Sequence, residues 1–273
     1  MTTGSMANGL PQAAGAAEDL TLPPPPPARP IQWRRAVRAL RELLADPEQT
    51  EKAFEIFMAI GARDEERGFQ KFLAHPSCQK LLRTRPLLID ALSNRSALAQ
   101  LPAASFGRAY VDYLDRTGFE PDGLLRLKWE LQARAERDGE PQARLDPLRE
   151  WWRDRSILMH DLWHVLSGYG TDELGEAALL PFTYAQAGGR ANLLLVIGVA
   201  VRGTVEARPS ILRYLWQAWR RGRRAVWLPA LTYEDLLALP LEEVRRLANV
   251  QPSALAHPNG IRRGDWRETN DGH

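Results

Sequence analysis

The stretch that decides the fold is RSILMHDLWHVLSGYGTDELGE, residues 155–176. It contains His160, Asp161 and His164, and Glu176 follows after eleven further residues. At about 100° per residue on a helix, the first three side chains lie within an arc of roughly 100°. Imidazole and carboxylate donors suit zinc best and iron or manganese next, because no thiolate is present to select a softer ion. The stretch therefore predicts a helix-borne divalent metal site with these four residues as ligands.

Three points about the motif stay open. Histidines four residues apart also occur in helix cores, where backbone carbonyls satisfy them, but the two carboxylates favour a metal. The pattern is not the His-Glu-x-x-His of metalloproteases, because Asp161 stands where their catalytic glutamate would be. Glu173 competes as a ligand, yet we expect it in a turn, whereas Glu176 opens the next helix and points back at the first. If all four ligands bind at once, a substrate must displace Asp161 or Glu176, so these two are the candidate catalytic residues.

Helical patterns follow one another along most of the chain, and no alternating run of β-branched residues predicts a sheet. Amphipathic spacing, N-cap residues and glycine stops predict helices over 33–44, 47–61, 69–73, 81–98 with a break at Pro86, 105–114, 122–137 and 146–169. The apolar run 191–201 is too short to span a bilayer and predicts a buried helix. The charged residues over 149–155 predict a mostly solvated face. We expect an all-α fold with a single multi-helix domain over residues 31–251.

Composition and the chain ends narrow the class of protein. The 273 residues are 44% hydrophobic and 26% charged with a net charge of +2, which is typical of a globular domain. The single cysteine, Cys78, excludes an internal disulfide and a cysteine metal cluster, which fits a reducing compartment. Residues 1–30, rich in alanine, glycine and proline, predict a disordered leader with no targeting signal. Residues 252–273 predict a flexible tail.

A second stretch points to a membrane surface. Between residues 208 and 227, arginines are interleaved with leucine, tyrosine and tryptophan. Because a basic, tryptophan-rich helix can lie on an anionic bilayer, the candidate lipid or membrane contacts are Trp216, Trp219, Arg220, Arg221, Arg223 and Arg224. A core helix with a solvated basic end is the alternative, since aromatic residues at helical spacing usually face a core. No nucleic-acid-binding module is recognisable, so we expect no nucleic acid partner.

The motif and its flanks resemble a known family. The pattern His160-Asp161-x-x-His164-x11-Glu176 is similar to the signature of the coenzyme Q (ubiquinone) biosynthesis protein Coq-four family. Leu101–Tyr110 resembles the family's leucine-proline helix start, Arg155–Gly170 its metal helix, and Leu239–Arg245 its closing helix. The resemblance covers about residues 35–251.

This resemblance implies an all-α protein that binds Zn2+, or another divalent ion, through the four motif residues and acts in ubiquinone biosynthesis. The implied reaction removes the C1 carboxylate from a 4-hydroxy-3-polyprenylbenzoate, with or without oxidation and hydroxylation at that carbon. The alternative is a non-catalytic lipid-binding scaffold that organises the biosynthetic enzymes around a structural metal. The implied partners are a polyprenylated aromatic or other isoprenoid lipid, other ubiquinone biosynthesis enzymes, a membrane surface and a second copy of the chain. We expect a bacterial member, peripheral on the cytoplasmic face of the inner membrane.

Overall fold

The fold is given by a computed structural model, which describes residues 24–27, 29–140, 145–205 and 211–252. Within these ranges every regular element is a helix, and the extended pairing is limited to an isolated bridge between Ser105 and Pro240. The predicted all-α class is confirmed. The expected leader over residues 1–30 and the expected tail over 252–273 lie almost entirely outside the described residues, and the domain boundaries stay predictions.

Fourteen α-helices follow one another along the described part of the chain. The first seven are α1 (Trp33–Ala45), α2 (Thr50–Ile60), α3 (Ala62–Ala74), α4 (Gln79–Thr84), α5 (Leu88–Ser93), α6 (Arg95–Ala99) and α7 (Phe106–Thr117). The other seven are α8 (Gly123–Arg137), α9 (Pro147–Ser167), α10 (Glu173–Ala187), α11 (Arg190–Val205), α12 (Ile211–Arg224), α13 (Tyr233–Leu236) and α14 (Leu241–Ala248). Two short 3₁₀ helices, Pro76–Cys78 and Leu228–Ala230, precede α4 and α13.

Local sequence signals set the limits of α9, the helix that carries the histidines. The Asp146 side chain accepts hydrogen bonds from the backbone N–H groups of Leu148 and Arg149, and Pro147 occupies the first helical position. The helix stops where Gly168 adopts a φ of 73°, in the left-handed region that glycine enters without a Cβ penalty. The predicted helix over 146–169 is confirmed.

The largest hydrophobic core surrounds the middle of α9. Leu162 of α9 shares this core with Phe106 of α7, Phe182 of α10, Tyr214 of α12 and Val244 of α14, all of them fully or almost fully buried. Burying each large side chain stabilises the fold by about 1.5–3 kcal/mol. The helix that carries the motif is therefore held by neighbours on several sides.

Buried ion pairs fix the N-terminal half of α9, where a solvated face was expected. Arg149 is 3% exposed and donates to both carboxylate oxygens of Glu66 on α3, at 2.8 and 2.9 Å. Arg155 is 1% exposed and donates to Glu234 on α13. The expectation was wrong for these two residues, because their partners lie 83 and 79 residues away and leave no local pattern. Removing one partner of a buried pair costs about 3–5 kcal/mol, so these contacts hold α9 against α3 and α13.

Two helical segments begin or break differently from the expectation. α3 begins at Ala62, whereas the sequence predicted a start near Phe69. The first turns of α3 are polar and partly exposed, so they carry no apolar pattern from which a helix could be predicted. The segment 81–98 forms three short helices, since Arg85 leaves the helical region with a φ of 43° and Asn94 caps α6.

The apolar run forms α11, which was expected to be buried but is exposed on one side. Leu193, Ile197 and Val201 on its outer side are 39%, 49% and 55% exposed. The run is apolar on every side, so its sequence does not indicate which side packs against the protein.

Candidate metal centre

Three side chains of the motif converge where α9 meets α10. The Nε2 atoms of His160 and His164 are 3.2 Å apart. Glu176 Oε1 lies 3.2 Å from Nε2 of His164, and its Oε2 lies 3.8 Å from Nε2 of His160. All three residues thus offer a donor atom within 4.8 Å of the others. The structure brings these three predicted ligands together.

The spacing of the three donors fits a divalent metal ion. Zinc binds imidazole nitrogen and carboxylate oxygen at about 2.0–2.2 Å, so two ligand atoms on a tetrahedral ion are roughly 3.3–3.6 Å apart. The separation of the two histidine Nε2 atoms and that of Glu176 Oε1 from His164 Nε2 are both 3.2 Å, just below that range. The 3.8 Å contact to His160 Nε2 is made by the other carboxylate oxygen, Oε2. Two histidines and one glutamate are also the ligands of one class of catalytic zinc site, which keeps a fourth position for water or substrate.

His164 is the buried and oriented member of the cluster. Its side chain is 1% exposed, and its Nδ1 lies 3.1 Å from the carbonyl oxygen of Tyr169. A carbonyl can only accept, so Nδ1 carries the proton and the Nε2 lone pair is directed at the other two donors. The Tyr169 hydroxyl in turn accepts a hydrogen bond of 3.0 Å from Nη1 of Arg221 on α12. Sequence reasoning missed Tyr169, because a backbone carbonyl leaves no residue-type signal.

The other two donors form an accessible mouth. The side chains of His160 and Glu176 are 36% and 42% exposed, in contrast to that of His164. One side of the cluster is therefore open to solvent, and the opposite side is packed in the core.

Glu176 is aimed at the histidines by the way α10 starts. The Asp172 side chain caps α10 by accepting from the N–H groups of Leu174 and Gly175. A Cβ at Gly175 would overlap the carbonyl of Gly170, so this residue allows α10 to begin directly against the loop that follows α9. The expectation that Glu173 lies in the turn was wrong, because it is the first residue of α10.

Glu173 and Glu176 point to different partners although they share a helix. Glu173 Oε1 lies 3.0 Å from Nη2 of Arg202 on α11. The expected preference for Glu176 over Glu173 at the site agrees with this placement, since only Glu176 lies in the cluster of the described residues.

Asp161 is not brought into the cluster. Its carboxylate is 8% exposed and accepts a hydrogen bond of 3.2 Å from the Tyr113 hydroxyl on α7. The Tyr113 ring in turn stacks on the His164 ring, with centroids 5.9 Å apart and planes 21° from parallel. Sequence reasoning missed Tyr113, which lies 48 residues before Asp161. Ligation by Asp161 stays a prediction.

The electrostatics of the cluster favour forms that bind a cation. The protein atoms packed on the inner side of the His160 ring, together with the neighbouring His164, lower the pKa of His160 and favour its neutral form. Loss of solvent on the inner side of Glu176 opposes its ionisation, but the two histidines outweigh this effect and hold the pKa of this carboxyl below its usual value. Burial also opposes a charged His164, yet Glu176 outweighs it and raises the pKa of the imidazole. A bound cation would replace the proton that this pair holds.

The six predicted membrane-contact residues divide between solvent and interior. Trp216 is 51% exposed, and the Arg220 guanidinium lies 4.5 Å from the centre of its ring. Arg223 and Arg224 are exposed, while Trp219 is half-buried. Arg221 is half-buried and directed at Tyr169, so it supports the loop between α9 and α10. Membrane contact stays a prediction for the group.

Comparison with known proteins identifies the family. The family model described as "Coenzyme Q (ubiquinone) biosynthesis protein Coq4" matches residues 44–129 and 148–254, which include α10 and all of α9 except its first residue. The chain belongs to the Coq4 family. The expected resemblance is confirmed, and the metal motif lies inside the second matched segment.

Relatives of the chain are similar over about two thirds of its length. The mitochondrial ubiquinone biosynthesis protein coq-4 of Neurospora crassa is 28% identical over 185 residues, which are 66% of this chain and 48% of the relative. The mitochondrial COQ4 homolog of Aedes aegypti is 27% identical over 178 residues, 63% of this chain and 58% of the relative. The chain thus spans about half the length of these Coq4 relatives.

A solved structure shares the fold. A crystal structure from Nostoc punctiforme PCC 73102 superposes with a TM-score of 0.55 at 19% identity, over 80% of this chain and 99% of the other. Among the described residues, no helix is both long enough and apolar enough to cross a membrane.

Proposed function

We propose that this Coq4 protein is a metal-dependent decarboxylase of ubiquinone biosynthesis. Its substrate is a 4-hydroxy-3-polyprenylbenzoate-type intermediate, which loses the C1 carboxylate with or without hydroxylation at that carbon. The observation that carries the proposal is the cluster of His160, His164 and Glu176, with one buried and two accessible donors. Membership of the Coq4 family supports the pathway.

His160, His164 and Glu176 would hold the ion, with zinc expected first and iron(II) or manganese(II) next. When bound, the ion supplies Lewis-acid polarisation of carboxylate and phenol oxygens. Asp161 is the candidate fourth ligand, and it would reach the cluster only by giving up its hydrogen bond to Tyr113. Three ligands leave a position for substrate, which favours the set without Asp161 for catalysis.

Asp161, next to His160 on α9, is the residue that would handle the proton. In the non-oxidative step the bond from C1 to the carboxylate breaks, its electron pair stays on the ring, and C1 takes up a proton as carbon dioxide leaves. Burial raises the pKa of Asp161, so this carboxyl holds a proton more readily than an exposed one and is the candidate donor. In the oxidative version a hydroxyl replaces the carboxylate, and an oxygen-derived oxidant must supply it.

The proposal extends to partners and location. A polyprenylated substrate is collected from a bilayer, so we place the protein peripherally on the cytoplasmic face of a bacterial inner membrane, with α12 as one contact. Other enzymes of ubiquinone biosynthesis would receive its product, and a homo-oligomer is part of the proposal. The named relatives are mitochondrial, and the bacterial location is our own inference.

Product analysis by mass spectrometry tests the function. Metal-loaded protein is given a prenylated 4-hydroxybenzoate in detergent, beside Glu176→Gln and the matched control Glu173→Gln. We expect loss of the carboxylate with the wild type and with Glu173→Gln, and no conversion with Glu176→Gln. If all three proteins bind the substrate tightly and leave it unconverted, even with oxygen and a reductant supplied, the proposed decarboxylase activity is wrong. That result would favour the scaffold, in which the metal only ties α9 to α10.

A further inference from the structure

A stripe of exposed apolar side chains runs along the outside of α11. Leu193, Ile197, Val201 and Val205 recur every four residues and are 39%, 49%, 55% and 80% exposed. Side chains at this spacing lie on one side of a helix. The opposite side of α11 packs inward through residues such as Leu195, which is 3% exposed. Within the part of the chain that the structure describes, the stripe is therefore an uncovered apolar surface and not a gap in the core.

The helices on either side of α11 continue this surface. A Cβ at Gly198 would meet the Leu40 side chain of α1, and a Cβ at Gly203 would meet Ile211 of α12, so both neighbours pack closely on α11. On α1, Trp33 and Val37 are exposed, at 48% and 37%.

On α12, Leu212 and Trp216 are exposed, at 53% and 51%. Of the fourteen large hydrophobic residues exposed in the described part of the chain, eight belong to these three helices. We call this surface, made by the outer sides of α1, α11 and α12, the three-helix face.

Charge on the three-helix face is strongly one-sided. The three helices carry eleven arginines and a single acidic residue, Glu42, which gives a net charge of +10 for the helices as a whole. Three of these arginines pair with acidic residues of other segments, which leaves eight outside these ion pairs; the three are Arg35, Arg190 and Arg202. The whole chain has a net charge of +2, so the remaining residues sum to −8. Arginines stand beside the exposed tryptophans: the exposed Arg34 is next to Trp33 in the chain, and the half-buried Arg220 lies over the Trp216 ring. The molecule thus has a basic, tryptophan-flanked apolar face on an otherwise acidic body.

We propose that the three-helix face docks the protein on an anionic lipid bilayer, with the α11 stripe at the level of the acyl chains. This inference deepens the proposed function and rests on it for the lipid nature of the substrate. It differs from the sequence-based expectation, because the centre of the contact is α11 rather than the C-terminal half of α12. Tryptophan at headgroup depth and arginine on phosphate are the usual flanks of such a contact.

Charge complementarity selects a bilayer over a second copy of the chain. A twofold contact through the three-helix face would place its exposed arginines against the same arginines of the second copy, which is repulsive. These exposed arginines are Arg34, Arg38, Arg41, Arg213, Arg223 and Arg224. An anionic membrane offers the opposite sign over a wide area, and it accepts apolar side chains between its headgroups.

The three-helix face also lies close to the candidate metal centre. Arg202, the neighbour of Val201 on α11, pairs with Glu173 at 3.0 Å. Glu173 precedes the cluster residue Glu176 by less than one helical turn on α10. Docking through α11 therefore brings the bilayer surface near the end of α10 that carries the cluster, where a lipid-anchored head group could reach it.

Vesicle flotation with two lipid compositions tests the docking. Full-length protein is mixed with phosphatidylcholine vesicles, or with the same vesicles containing 30% phosphatidylglycerol. We expect binding to the anionic vesicles at low salt, at least tenfold weaker binding to the neutral ones, and further weakening as salt is raised. Equal binding to both vesicles would overturn the electrostatic part of the inference.

Matched variants test which residues make the contact. We expect Ile197→Ser and Val201→Ser together to lower the partition coefficient at least tenfold, since both remove apolar area from the bilayer. The control Leu247→Ser changes an exposed leucine, 45% accessible, on α14 and should leave binding unchanged.

The arginines have a matched control of their own. Replacing Arg34, Arg38 and Arg41 by glutamine should weaken binding about fivefold per residue. The same change at three exposed arginines outside the face should reduce the logarithm of the vesicle partition coefficient by less than half as much; these three are Arg116, Arg126 and Arg246. Equal effects of the two triples would mean that only net charge matters, and the assigned face would be wrong.

If a serine variant of the stripe folds poorly, a fluorescent label on α11 provides a second test of whether the stripe enters the bilayer. Cys78 is fully buried, so Ile197→Cys adds one accessible thiol for an environment-sensitive dye. We expect its emission to shift to the blue on anionic vesicles and to stay unchanged in buffer. A water-like emission from vesicle-bound protein would overturn insertion of α11, and a blue shift that follows protein concentration without lipid would assign the stripe to a second copy.

The outcomes separate this inference from the proposed function. Zinc binding and conversion of detergent-solubilised substrate do not require a bilayer, so stripe variants should retain both. If the decarboxylation fails while flotation depends on the stripe, the proposed chemistry is wrong and the docking face stands. If flotation ignores the stripe while conversion succeeds, the docking face is wrong and the chemistry stands.

Discussion

Residues 173 and 176 differ in role although each is a glutamate in the first turn of α10. Glu176 contacts both histidines and lies at the accessible mouth, whereas Glu173 forms a partly exposed pair with Arg202. The two positions therefore give matched variants on one helix, where loss of a ligand can be separated from loss of a surface charge.

We expect Glu176→Gln to weaken zinc binding more than about 100-fold, because an amide is a poor ligand and one of three donors is lost. Glu173→Gln should change the affinity less than about threefold, since a partly exposed ion pair contributes little. Competition with a chromophoric chelator measures both constants. Similar effects of the two substitutions would remove Glu176 from the ligand set.

Asp161 and Tyr113 make a second pair of matched variants. If Asp161 acts through Tyr113 on the orientation of His164, Asp161→Asn and Tyr113→Phe should each weaken zinc binding about 10–100-fold. X-ray absorption at the zinc edge should then show the same number of ligand atoms in both variants as in the wild type. The loss of one oxygen ligand in Asp161→Asn alone would make Asp161 a direct ligand.

The elements of this fold differ in how far sequence alone predicts them. α9 was predictable because its signals are local: Asp146 and Pro147 start it, and Gly168 ends it. The outer side of α11 was not, because an all-apolar run carries no information about which side is covered. The convergence of His160 and His164 followed from their spacing on α9, and that of Glu176 from the expected start of the next helix. The supports of His164 came from α7 and α12, which only tertiary structure brings near.

The start of α10 depends on Gly175. We expect Gly175→Ala to lower the free energy of unfolding by about 1–3 kcal/mol, because the added Cβ must push α10 away from the backbone of Gly170. The displaced turn carries Glu176, so zinc affinity of the folded protein should fall as well.

The control for this prediction is Gly123→Ala at the first residue of α8, where a Cβ would meet nothing within 4 Å. Urea unfolding gives the stability, and zinc titration of the folded protein gives the affinity. A normal zinc affinity in Gly175→Ala would contradict the idea that this close approach aims Glu176.

At the scale of the whole molecule, metal binding should be visible as stability. The cluster joins α9 to α10, and both helices belong to the largest core, so a ligand bound there stabilises the folded state. Zinc at 100 times its Kd should contribute about 2.7 kcal/mol and raise the Tm by roughly 5–10 °C. Calorimetry with and without zinc measures the shift, which Glu176→Gln should abolish. An equal shift in that variant would place the metal elsewhere.

The uneven exposure of the three donors has a consequence for how fast a metal leaves. Structural zinc enclosed by its ligands is released on the timescale of unfolding, because a competitor cannot touch the ion first. Here His160 and Glu176 are 36% and 42% exposed, so a small chelator could attack the ion while His164 still holds it. Metal exchange at the proposed site should therefore be orders of magnitude faster than unfolding, and the identity of a bound ion should follow the metal supply of the surroundings.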